Sequence, residues 1–295
     1  MKHGDSLSTT KKRRQKTKKS RGPIYSVVDL ETTGTSVNHG DRIIQVGCVL
    51  VQDGEIINHF ETKINPRVAV PRHITQLTGI KNNDVRNAPL FEDIAGTLYS
   101  LLSGTIFVAH NVNFDFPFLN AELERAGYPS LSIKAIDTVT LSQILMPTVK
   151  SYRLRDLTSS LSIEHDHPHS AVSDAEATAH LLVDLMKQLR ELPTLTLEKL
   201  VELKLNLPQQ TTMVLEQELE RRVANPLPLA DSLYVSHGIV LHKVRPATSL
   251  GEVTNVRYPS TKRAKIKLYG DSLAFRPTQS KMMNSIYNNY THDEP

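Results

Sequence analysis

Cysteine, tryptophan and long apolar runs are what this sequence has least of. One cysteine, Cys48, stands in 295 residues, and there is no tryptophan. A single thiol closes no intrachain disulfide and supplies no cysteine cage for a metal; a reducing, cytoplasmic setting fits. No stretch approaches the roughly 20 apolar residues that cross a membrane. The N-terminus is basic, but no apolar segment follows it, so it does not read as a secretory signal. No G-x-x-x-x-G-K-[ST] occurs anywhere, which removes the phosphate cradle that an ATPase needs. There is no internal repeat. What remains is ordinary: 39% hydrophobic and 22% charged residues, with length for one or two domains and a real core.

Acidic residues are scarce at one end. Residues 1–21 carry nine Lys/Arg against the single acid Asp5, a net +8, although the whole chain has a formal charge of +4. The remainder is therefore mildly acidic, and the tail holds the surplus. A segment so polar and charged buries no core, so residues 1–22 read as a disordered basic tail. Two roles stand open for it: a non-specific arm for phosphate backbones, each contact releasing counterions, or a solubilising extension.

Strand signals follow the tail. Ile24 to Leu30, Ile43 to Val51 and Ile56 to Ile64, with Asp53-Gly54 between the last two, predict an antiparallel meander. Helical spacing then predicts a helix over Leu90 to Leu102, stopped by Gly104, with a short buried strand from Thr105 to Ala109. A helix from about Asp115 to Gly127, a strand from Ile133 to Ile136 and helices over Val139 to Leu145, Leu154 to Leu161 and Val172 to Leu189 complete the unit. Alternating helix and strand after a meander give a mixed sheet flanked by helices, an α/β fold. Past Pro193 the texture changes. Leu195 to Leu205 and Met213 to Val223 read as helices, Gly238 to Val244 and Ala264 to Tyr269 as strands, and Phe275 to Tyr290 as a helix.

Chemistry concentrates in three stretches. In V-D-L-E-T-T-G, Asp29 and Glu31 lie one residue apart on a strand, so both carboxylates face the same side. Two unpaired charges there repel and are costly to desolvate, and a divalent cation is the usual resolution; two acids facing water at a strand edge are the plain alternative. In H-N-V-N-F-D, Asp115 stands at a helix start, where an acid is also at home as a cap. In H-S-A-V-S-D-A, Asp174 lies in the first turn of a helix and His169 just before it. His169 closes a run with His165 and His167, whose alternation does not complete a separate transition-metal cage; those two are expected on a solvated loop.

Together, in this order and spacing, the three stretches resemble the DEDDh family of 3′-to-5′ exonucleases, over roughly Pro23 to Leu189. The resemblance implies a ribonuclease H-like fold for residues 23–190, and two Mg²⁺ or Mn²⁺ ions ~3.5–4 Å apart on Asp29, Glu31, Asp115 and Asp174. It implies that Asp29 bridges both ions, that Glu31 and Asp174 complete the first site, and that Asp115 serves the second. His169 would be the general base, neutral when it accepts a proton, so activity would rise as pH passes through the histidine range. Thr32, Thr33 and Gly34 would let the backbone approach the terminal nucleotide. Ile80, in Thr78-Gly79-Ile80, either packs on the terminal base or belongs to the core. His110 and Asn111 order the strand end, and Asp137 has no matching metal role.

The whole chain further resembles the front of bacterial DinG-type proteins, in which such an exonuclease is fused to a helicase. Phe275 to Met283 looks like the segment before a helicase ATP site, with Arg276 and Gln279 in an adenine-contacting motif. Residues 191–295 are then expected to be a helical linker and a small incomplete domain, without ATPase or helicase activity. The expected partners are single-stranded nucleic acid, DNA ahead of RNA, and a separate helicase or polymerase; no membrane is expected. The competing readings are a proofreading subunit of a DNA polymerase and an inactive nucleic-acid-binding module or helicase adaptor.

Overall fold

The computed structural model describes residues 21–165, 168–243, 259, 261 and 277–291, the last four of these without their side chains. Residues 1–20 of the basic tail, His167, the expected strand at 264–269, and Phe275 and Arg276 lie outside the described residues.

The meander is present. Strands β1 (Ile24–Thr32), β2 (Ile43–Gln52) and β3 (Glu55–Lys63) pair antiparallel in succession. Asp53 and Gly54 form the β2–β3 turn, both at positive φ (54° and 89°), as a two-residue hairpin link requires. Strand β4 (Ile106–Ala109) joins β1 in parallel, and β5 (Ala135–Asp137) joins β4 in parallel, giving the order β3-β2-β1-β4-β5. The mixed five-stranded sheet flanked by helices is the architecture expected from the sequence.

Side-chain alternation in β1 and β2 divides the core. Val28, Leu30, Val46, Cys48 and Leu50 face one layer, built by α3 (Phe91–Leu102) and α4 (Val112–Arg125). Val27, Val49 and Val51 face the other, built by α7 (Ala171–Glu191), α8 (Thr194–Glu202) and α9 (Thr212–Ala224). Because β2 is covered on both faces, nine of its ten residues are buried, and its sequence is a near-continuous apolar run. Two short helices, α1 (Arg72–Thr78) and α2 (Asn82–Arg86), lead into α3, while α5 (Thr138–Leu145) and α6 (Leu154–Leu161) lie between β5 and α7.

The core does not stop at residue 190. Leu197, Met213, Val214 and Leu215 are buried against the sheet. At roughly 1.5–3 kcal/mol per buried apolar side chain, they make α8 and α9 part of the same compact unit as the sheet. Arg222 of α9 sits fully inside: it pairs with Glu218 and donates to the carbonyls of Leu189, Arg190 and Leu192 at 3.2, 2.7 and 2.6 Å. Those carbonyls cluster at the end of α7, so one guanidinium closes that helix and fastens α9 to it. The compact unit runs to Leu241, and the rest of the chain forms a second. Near the end of the first unit, β6 (Leu233–Ser236) and β7 (Ile239–His242) make a hairpin around His237-Gly238, where the sequence suggested one strand. In the second unit, α10 (Pro277–Thr291) matches the helix expected near the C-terminus.

One glycine sets the distance between sheet and helix. Gly47 lies mid-strand in β2, opposite Asp29 in the register. A Cβ there would fall 2.2 Å from the Ala171 carbonyl oxygen and 2.5 Å from the Val172 nitrogen, both backbone atoms at the start of α7. Beside it, Gln45 Oε1 accepts the Ala171 N–H at 3.3 Å. The missing side chain lets the first turn of α7 settle on β2. Gly47→Ala is expected to cost about 1–3 kcal/mol in unfolding free energy, by forcing the helix start away. Equilibrium denaturation checks this, and unchanged stability would show that α7 is not held at this point.

Candidate active site

The site grows from the end of β1. Parallel pairing of β1 with β4 covers Tyr25 to Val27. Farther along, the Leu30 N–H donates to Asp115 Oδ1 at 3.1 Å. Asp115 is buried in the first turn of α4, placed there because α4 begins directly after β4. Asp29 and Glu31 follow Val27 on the face that meets α7. There Asp174, in the first turn of α7, joins them: Asp29, Glu31 and Asp174 each bring one carboxylate oxygen within 4.8 Å of the others.

Crowding and burial raise the proton affinity of these acids. Glu31 is pushed up to about 8, first by desolvation and then by the charge of Asp174. Asp115 also rises to about 8 through burial, against the lowering effect of its hydrogen bond from Leu30. Asp29 is driven well above the usual carboxylate range by burial and by Asp115, Asp174 and Glu31 together. The donor set is all carboxylate oxygen, which fits a hard divalent cation.

The histidines are arranged differently from the sequence expectation. His169 is exposed, at a left-handed φ of 68°, and reaches the cluster through its backbone: its N–H donates to Asp174 Oδ2 at 3.1 Å. His165, expected on a solvated loop, is instead 7% exposed, with Nε2 2.5 Å from Asp174 Oδ1. Alternation along the His run carried no sign of this, because the loop's turn back onto α7 is a tertiary contact.

The threonines of the first stretch serve the loop that follows β1. Thr32 donates to the Gly34 carbonyl at 2.6 Å, and Thr33 to Asp41 Oδ1 at 3.3 Å. A Cβ at Gly34 would meet the Asp41 carboxylate at 2.4 Å, so this glycine leaves room for the side chain that binds Thr33 and the Ser36 N–H. Ile80 is 4% exposed, in a small cluster with Ile44, Val70, Ile74 and Val85. Its side chain therefore packs as core, while its neighbour Leu77 is 54% exposed.

Three supporting residues, Asp137, Gln210 and Thr211, were not legible as such. Asp137 holds the start of α4: its Oδ1 accepts the Asn111 and Val112 N–H groups at 2.9 and 3.1 Å, and its Oδ2 caps α5 through the Thr140 N–H at 3.0 Å. An acid between a strand and a helix was the available signal. Thr211 Oγ1 in turn accepts the Asp137 N–H, and Gln210 bonds both backbone groups of Ala135, so the segment before α9 braces β5. His110 spans Thr138 Oγ1 at 2.9 Å and the Tyr152 carbonyl at 3.0 Å. A carbonyl only accepts, so Nε2 carries the proton, and burial, the main influence, lowers the pKa of this ring. It orders the end of β4.

Comparison with known proteins agrees with this geometry. The family model described as exonuclease matches residues 26–182, from near the start of β1 to the middle of α7. The chain belongs to the exonuclease family. Among relatives, it is 39% identical over 204 residues to the 3′-5′ exonuclease DinG of Bacillus subtilis, covering 69% of this chain and 22% of that protein. It is 30% identical over 275 residues to the 3′-5′ exonuclease DinG of Staphylococcus haemolyticus, covering 92% of this chain and 29% of that one. The chain thus spans under a third of the length of these curated relatives. The fold of this exonuclease family member is also that of E. coli exonuclease I in complex with a dT13 oligonucleotide, at TM-score 0.51 and 20% identity over 57% of this chain and 42% of that one. Among the described residues, no helix is long and apolar enough to cross a membrane.

The raised carboxyl groups make stability depend on pH with a definite sign. Between the usual carboxylate range and about 8, folded Glu31 keeps a proton that the unfolded chain has released. Its contribution to stability therefore falls as pH rises through that window. In chelator, Glu31→Gln is expected to gain thermal stability relative to the natural chain as pH is raised from 5 to 8. Mg²⁺ or Mn²⁺ is expected to raise the melting temperature of the natural chain more at pH 8 than at pH 5. Parallel melting curves with and without cation measure both effects.

Proposed function

We propose that this chain is a metal-dependent 3′-5′ exonuclease that removes nucleotides from the ends of single-stranded DNA. The meeting of Asp29, Glu31 and Asp174 within 4.8 Å carries the reading. Family membership supports it, as do the 3′-5′ exonuclease relatives.

Asp29, Glu31 and Asp174 would hold one divalent cation, with Asp115 contributing to a second beside Asp29. Such a pair, when bound, neutralises the acids, activates a water and stabilises charge on the leaving oxygen. The chain's own part is to hold Asp29, Glu31 and Asp174 within reach of one cation, with Asp115 close enough to Asp29 to feel its charge. Asp115 is steadied by the Leu30 N–H, and Asp174 by the His169 N–H. His169, exposed beside the cluster, takes the proton from the attacking water, which requires a neutral ring. The Thr32-Thr33-Gly34 backbone lies at the end of β1, where a terminal nucleotide would sit. The hydroxyls of both threonines are already engaged, so any contact there runs through the main chain.

A DinG-type role is favoured over a polymerase proofreading subunit, because the match to DinG of Staphylococcus haemolyticus covers 92% of this chain. The match to the PolC-type DNA polymerase III of Caldanaerobacter subterraneus, at 36% identity, covers 57%. With no phosphate-binding loop in its 295 residues, the chain by itself is not proposed to hydrolyse ATP. A helicase is the activity that a DinG-type role calls for beside the nuclease, and a cytoplasmic setting suits the single buried thiol.

Single-stranded DNA and RNA oligonucleotides labelled at either end test this directly. Loss of nucleotides from the 3′ end of DNA is expected with Mg²⁺ or Mn²⁺ and not with chelator. Asp29→Asn and Asp174→Asn are expected to abolish it, and His169→Ala to slow it roughly 10²–10⁴-fold. Digestion from the 5′ end, or full activity in chelator, would overturn the reading.

A further inference from the structure

Both oxygens of Asp174 are engaged from the loop that precedes α7. Oδ2 accepts the His169 N–H at 3.1 Å, and Oδ1 lies 2.5 Å from His165 Nε2. The His165 side chain is 7% exposed, and its other nitrogen, Nδ1, is buried with no hydrogen-bond partner. Asp174 is 14% exposed, so there is little open approach to its carboxylate. The ring is therefore enclosed but tied by one nitrogen only. A ring built in permanently would have both nitrogens paired, because a buried unpaired nitrogen is costly. Its one bond is to an acid of which one carboxylate oxygen lies within 4.8 Å of an oxygen of Asp29 and of one of Glu31.

We propose that His165 is a built-in placeholder for the cation: its imidazole occupies Asp174 Oδ1 while the metal is away and is displaced when the metal binds. This rests on the metal-site reading above. Asp174 presents a positive or hydrogen-bearing partner in either state, His165 in one and the cation in the other. His165 thus sets the apparent metal affinity without belonging to the loaded site. His169, bonded through its main chain to the other oxygen, holds Asp174 in place throughout.

Displacement multiplies the apparent affinity by the fraction of time that the ring is away, so removing the ring tightens binding. Calorimetric titration of Mn²⁺ into the full chain is expected to give ~3–30-fold tighter binding for His165→Ala than for the natural chain. His165→Gln, which keeps a hydrogen-bond donor, is expected to fall between them. Imidazole ¹H–¹⁵N spectra of the natural chain provide a test free of any variant's folding. Saturating Mg²⁺ is expected to move the His165 ring signals to those of a solvent-exposed histidine. Equal or weaker Mn²⁺ binding by His165→Ala, or His165 signals unmoved by Mg²⁺, would overturn the placeholder alone. Absence of Mn²⁺ binding by both proteins would overturn it together with the metal-site reading.

Discussion

Mutual repulsion among Asp29, Glu31, Asp115 and Asp174 is the force that the rest of this structure has to contain. Left to themselves, the acids would turn toward solvent or separate. They are held because each stands on a rigid element. Asp29 and Glu31 belong to a strand paired along its length with β2. Asp115 is fixed by the Leu30 N–H and by a helix start that Asp137 grips through two backbone groups. Asp174 rides on α7, whose first turn is seated by Gly47 and Gln45. The electrostatic cost is accepted in the metal-free chain as raised proton affinity, and a cation would remove it.

Support for the site reaches well past the residues that line it. The segment before α9 braces β5 through Gln210 and Thr211. Strand β5 ends in Asp137, which holds the start of α4 and so the position of Asp115. On the other side, Arg222 closes the end of α7, the helix that carries Asp174 near its start. Residues between 191 and 224 thus steady both halves of the carboxylate cluster without touching it. This explains physically why the compact unit extends beyond the stretch that carries the three acidic motifs.

Much of this was legible in local sequence. The alternation Val27, Asp29, Glu31 put both acids on one face because a strand repeats every two residues. Asp53-Gly54 marked a hairpin because only certain residues accept positive φ at little cost. Helical spacing gave α3, α6 and α7 to within a few residues. Other features were hidden because they depend on what packs against them. The glycine of I-I-Q-V-G-C-V-L-V reads as a weak point in a strand until the main chain of α7 is seen resting on it. Ile80 could face a nucleotide or a core until Ile44, Val70, Ile74 and Val85 are found around it.

The sequence by itself determined the residue types on hand and the scaffold: closely spaced acids, histidines, a single cysteine, and a meander followed by alternating helices and strands. Residue type and local period are enough for that, since both act over a few neighbouring residues. Tertiary structure alone decided which histidine meets the acids, which threonines are spent inside their own loop, and where the domain ends. His165 lies closer than His169 because a loop folds back onto α7, and α8 and α9 belong to the core because the sheet has a second apolar face to cover. Those outcomes turn on contacts between distant parts of the chain, which periodicity and composition do not encode.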